Sequence, residues 1–107
     1  MTRRPTLANV RRALERAGFQ SGGGRDAGRM GRSLAHAYTS GFKCVALLDM
    51  ATMRADPQLG AEVRSYGSRG PSLEAVAEAL RTDFPDADVE VYPGGYVEVR
   101  AARRVVP

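Results

Sequence analysis

The amino-acid sequence predicts an α+β fold: a two-layer sandwich in which one antiparallel sheet of four to five strands carries two helices on one face. Three patterns lead there. Two segments place apolar residues at helical spacing, one segment near the C-terminus alternates apolar and polar residues about a turn, and the elements run in the order α-β-β-α-β-β. A chain of 107 residues has room for one domain, 1–107, with a modest core.

The first helix opens at Thr6, a candidate N-cap after Pro5, and carries Leu7, Val10, Leu14 and Ala17 on one stripe. Gly18 is placed to stop it, with Phe19 folding back as an apolar cover. Arg11 and Glu15 are spaced to pair across one turn. Residues 21–32 hold five glycines in twelve positions, too little apolar surface to offset ordering, which predicts a flexible loop. Tyr38 to Leu48 reads as one or two strands around the turn signal Thr39-Ser40-Gly41. From Phe42 to Leu48 both faces are largely apolar, the pattern of a central strand covered by a helix on one side.

Residues 49–60, with Pro57 and Gly60, read as a connection containing a short helical turn at Ala51 to Arg54. Ala61 to Tyr66 then forms a strand with Val63 inward. The second helix opens at the N-cap candidate Ser72 with Glu74 in its first turn. Its stripe is Leu73, Val76, Ala77, Leu80 and Phe84, and Pro85 ends it. Val89 and Val91, then Val97, Val99 and Ala101, alternate with polar residues about Pro93-Gly94-Gly95, which is a β-hairpin. The halves share an α-β-β rhythm, and Leu7-Ala8-Asn9-Val10 echoes Leu73-Glu74-Ala75-Val76, an identity too slight to establish duplication.

Several chemistries find no support. Cys44 is the sole cysteine and lies in an apolar run, which reads as a buried structural thiol in a reducing compartment. No apolar run reaches the length of a membrane span, and the basic segment Met1 to Pro5 is not followed by the apolar stretch of a signal peptide, so a cytoplasmic location and no membrane partner are expected. Gly22-x-Gly24-x-x-Ala27 matches a dinucleotide pattern literally but lacks the strand before it and the helix after it, and there is no Walker sequence. His36 and Cys44 are too few for a zinc site. Asp83, Asp86, Asp88 and Glu90 lack calcium-loop spacing and read as a solvated rim. Ser33, Ser40, Asp49 and His36 form no recognisable nucleophile-and-base set. No cofactor or metal is expected, and the reading is non-enzymatic.

The charge map is more informative. Residues 1–43 carry a net charge of +7 and residues 44–107 a net charge of −3. Fifteen of the sixteen basic residues are arginine, a bias that codon usage in a GC-rich genome also produces. Arg12 and Arg16 on the first helix, with Arg25, Arg29 and Arg32 in the loop, are the candidate contacts to a phosphate backbone or to an acidic protein surface. No zinc finger, helix-turn-helix or aromatic strand platform is visible. Tyr66, Tyr92 and Tyr96 are the candidate anchors of a protein contact. An unpaired edge on a small sheet allows a monomer or a homodimer.

Leu7 to Phe19, Thr39-Ser40-Gly41-Phe42-Lys43, the strand Ala61 to Tyr66 and the helix Leu73 to Arg81 together resemble small proteins of actinobacteria, their phages and their integrated mobile elements. This chain departs from them in its glycine loop and in the stretch from Met50 to Gly60. No activity is established for that group, so no site residue transfers. The resemblance implies only context, a small accessory protein encoded by a phage or mobile element. The basic face gives the two readings: an accessory protein contacting nucleic acid, or an inhibitor engaging a host complex, such as an anti-defence protein.

Overall fold

The structure, a computed structural model, describes residues 3–22, 41–66 and 70–102. Its elements are α1 (Leu7–Arg16), β1 (Gly41–Asp49), β2 (Arg54–Tyr66), α2 (Leu73–Asp83), β3 (Ala87–Tyr92) and β4 (Tyr96–Ala101). The four strands form one antiparallel sheet in the order β1-β2-β4-β3, the α+β arrangement and α-β-β-α-β-β order expected. Of the segment read as a glycine loop, only Ser21 and Gly22 are described, and they lie in a parallel bridge beside Phe42; the rest of it and the turn at Thr39-Ser40 lie outside the described residues.

Local chemistry fixes both helices. Thr6 Oγ1 accepts from the Asn9 amide at 3.2 Å, and Ser72 Oγ from the Ala75 amide at 3.1 Å. Each such cap is worth about 1 kcal/mol. At the end of α1 the Phe19 amide reaches the Leu14 carbonyl and the Gly18 amide the Glu15 carbonyl, a Schellman closure that lays Phe19 against the core. In α2 the Phe84 amide donates to Leu80, and the Phe84 ring is buried before Pro85.

The core is a single cluster between helices and sheet. Val10, Ala13 and Leu14 of α1 and Val76, Ala77 and Leu80 of α2 meet Phe42, Cys44, Ala61, Val63, Val97 and Val99. Both helices therefore cover the same face of the sheet.

Two strand assignments need correction. β1 is an edge strand, not a central one; the centre belongs to β2 and β4. Phe42 and Cys44 of β1 enter the core beneath the helices and Leu47 is buried outside that cluster, but Val45 and Leu48 stay exposed. The connection read over residues 49–60 is mostly strand: β2 begins at Arg54, and only residues 50–53 turn the chain. The register explains why the sequence misleads. Ala46 pairs with Ala61 but Leu47 pairs with Asp56, so Pro57, Gln58, Leu59 and Gly60 bulge out unopposed by β1. Pro57 sits where no ladder amide is required of it. Beyond Gly60, β2 has left β4, and residues 47–59 project as a two-stranded arm. At its turn Met53 takes φ 58, a left-handed conformation costing a non-glycine residue roughly 1 kcal/mol.

The sheet has an approximate two-fold arrangement. The second strands of the two α-β-β halves pair with each other, Ala61 facing Val99, Glu62 facing Glu98 and Val63 facing Val97. The words Glu62-Val63-Arg64 and Glu98-Val99-Arg100 fall on corresponding positions of this seam.

Two glycines differ in what they protect. A Cβ at Gly60 would run into the Val99 carbonyl oxygen and stand 2.9 Å from Arg100 Cα, both backbone atoms of the seam. Gly94 has φ 75 in the Tyr92–Gly95 turn but open space around it. Gly60→Ala is expected to cost about 1–3 kcal/mol or more through overpacking, and Gly94→Ala about 1 kcal/mol through conformation alone. Urea denaturation of the two variants checks the ranking.

Candidate functional site

The five arginines described before residue 20 gather around α1. Arg3 Nη2 and Arg16 Nη2 both reach Asp83 Oδ2, at 2.6 and 3.0 Å, so two cations share one carboxylate of the second half. Arg3 also lies over the Phe84 ring, 5.8 Å from its centroid. Arg4 makes a long 3.5 Å contact to the Gln58 carbonyl at the bulge of the arm. Arg11 and Arg12 are exposed and have no ion-pair partner among the described residues; the Arg11–Glu15 pair expected from spacing does not form. Of these five guanidinium groups only those of Arg3 and Arg16 are ion-paired among the described residues, both to Asp83, and α1 itself carries one acid, Glu15, which leaves this face positive. Of the arginines singled out from the sequence, Arg12 lies free on this face and Arg16 is partly neutralised, while Arg25, Arg29 and Arg32 lie outside the described residues.

The helix-free face of the sheet carries a second arrangement. Lys43, Arg64, Tyr96 and Tyr92 form one row across the four strands; Val45, Glu62, Glu98 and Glu90 form the next. Like charges facing each other across strands destabilise a sheet. Here each carboxylate has a partner two residues along its own strand. Arg64 Nε meets Glu62 at 2.9 Å, Arg100 Nη2 meets Glu98 at 2.5 Å, and the Tyr92 hydroxyl donates to Glu90 at 3.0 Å. The Glu90 carboxylate accepting that proton, with burial second, holds the Tyr92 phenol above the usual tyrosine range, and the Glu62 hydrogen bond raises Arg64 further.

The tyrosines lie on this same sheet. Tyr92 and Tyr96 stack on each other with ring centroids 4.7 Å apart, and Arg64 lies 5.2 Å from the Tyr96 centroid. Tyr66, Tyr92 and Tyr96, the candidate anchors, are all half-buried. Tyr92 and Tyr96, which the sequence places on either side of the hairpin turn, thus form a small cross-strand aromatic pair. The surrounding carboxylates make this face ill suited to phosphate.

Cys44 is buried at the base of a cleft lined by Arg11, Glu15, Ser21, Phe42 and Lys43. Burial pushes its thiol up to about 12, against a smaller opposing pull from Arg11. Among the described residues no group of three or more His, Cys, Asp or Glu is arranged to hold a metal, and no helix is long and apolar enough to cross a membrane. His36, Ser33 and Ser40 lie outside the described residues.

No family model, curated protein or solved structure matches this chain.

The Cys44 environment has two measurable consequences. Iodoacetamide near neutral pH is expected to label the thiol only after denaturation. Because the folded thiol ionises well above its unfolded value of 9.0, its contribution to stability is complete below pH 9 and is lost as pH rises toward about 12. The variant C44A should therefore show a shallower alkaline loss of stability than the natural chain; identical slopes, or ready labelling of the native protein, would place the thiol at the surface.

Proposed function

We propose that this chain is a non-catalytic binding protein of the cytoplasm whose α1 face engages nucleic acid. The observation supporting this reading is the surplus of positive charge around α1, where Arg11 and Arg12 are exposed without ion partners and Arg3 and Arg16 divide a single carboxylate. Guanidinium groups in such an array neutralise successive phosphates and release condensed counterions, a contact that requires no base-reading element. Arg25, Arg29 and Arg32 would extend the same array along the chain.

A second reading, contact with an acidic protein surface, is favoured by Asp83. Arg3 and Arg16 already grip a carboxylate there at 2.6 and 3.0 Å, so the face is built to accept one. A phage- or mobile-element-encoded inhibitor of a host complex would work in this way.

Fluorescence anisotropy with short duplex DNA and single-stranded RNA separates the readings. For nucleic acid, log affinity should fall linearly with log salt with a slope near −0.9 per phosphate contacted on duplex, so four contacts lose roughly a hundredfold between about 50 and 200 mM. The R11E/R12E variant should abolish binding. Asp83→Asn should strengthen it by releasing Arg3 and Arg16, at a stability cost under about 1 kcal/mol for an exposed pair. Arg64→Gln, on the opposite layer, should leave it unchanged. No affinity for either polymer, or an equal loss in R64Q, contradicts the nucleic-acid reading.

A further inference from the structure

We propose that the β1–β2 arm is a self-association element through which two copies of this chain pair about a two-fold axis. Leu48, Met50 and Met53 of one copy pack against the same residues of the other. Every large hydrophobic residue exposed among those described falls between Val45 and Leu59, with Met50 at 75% and Met53 at 64% exposure. Such a concentration at one projecting end marks a contact surface, and flexible methionines suit it.

The sequence of β1 makes the same point. Its apolar residues fall on both faces, yet in the single chain it lies at the sheet edge with Val45 and Leu48 open. A second arm laid over this end covers the exposed side chains and gives β1 the environment its composition implies. Met53 supplies a separate argument. Position 53 is left-handed at φ 58, where glycine or asparagine would sit without strain, and a methionine there leaves 64% of its surface open in the single chain.

Charge selects the occupant. The arm carries Asp49, Arg54 and Asp56; Arg4 and Arg100 lie at its base beside Leu48 and Leu59, away from the tip at Met50 and Met53. The two carboxylates accept backbone amides, of Ala51 at 2.8 Å and Gln58 at 2.9 Å, and Arg54 has no ion-pair partner among the described residues. A bilayer with anionic lipids, or a polynucleotide, would require a basic rim around the apolar tip. Mixed signs on one patch instead complement themselves, since a two-fold axis sets Arg54 of each copy toward the acids of the other. An interface built on one short hairpin is small, which sets the expected dissociation constant in the micromolar range. The proposal does not rest on the α1 reading: Leu48, Met50 and Met53 lie apart from Arg11 and Arg12, and Arg4 meets the arm only at its base, at Gln58.

Sedimentation equilibrium of the full chain from low to high micromolar concentration tests it. The natural chain should pass from monomer to dimer, and M50E/M53E should remain monomeric throughout. Met53→Gly relieves the left-handed strain, so it should melt no lower than the natural chain when both are monomeric while raising the dimer dissociation constant roughly tenfold. A natural chain that stays monomeric at every concentration, or a dimer that survives both variants, overturns the proposal.

Discussion

The pairing of β2 with β4 is the contact on which the rest of the structure depends. It joins two α-β-β halves, each of which would otherwise be a hairpin with one helix and too little covered surface to persist. Ala61 and Val63 face Val99 and Val97 across this seam, all four fully buried, and both helices lie over them. The close backbone approach at Gly60 marks where the seam ends. Past it β2 keeps only its pairing with β1 and becomes an arm.

This layout divides the surface into three parts with different chemistry. The face of α1 is positive because its arginines outnumber the acids within reach, and the single carboxylate that crosses from the second half, Asp83, is shared by two of them. The helix-free face is close to charge-balanced, each glutamate held by a neighbour on its own strand. The arm is apolar at its tip.

How far the sequence reveals this depends on whether the signal is local. The caps at Thr6 and Ser72, the closure at Gly18 and the alternating hairpin at 89–101 are decided by residues a few positions apart, and all are legible. The β1–β2 hairpin is less so. Pro57 and Gly60 announce a loop in any local reading, but the bulge places them where the ladder asks nothing of them. The edge position of β1 is invisible, because apolar residues on both faces signal cover without saying what provides it. The seam itself was written in the repeated Glu-Val-Arg words of residues 62–64 and 98–100, too short to stand out until strand order aligns them. Of the candidate site, the gathering of arginines on α1 was legible, but the sharing of Asp83 and the stacking of Tyr92 on Tyr96 are long-range or cross-strand facts that only the fold supplies.

Native-state hydrogen exchange resolved by residue tests the central claim most directly, since it separates amides that open only with the whole molecule from those that open alone. Seam amides in 61–64 and 97–100 should exchange at the free energy of global unfolding, with those of the arm, 47–56, exchanging through a far cheaper local opening. A seam that exchanges as fast as the arm would mean that the two halves are not held together by β2 and β4.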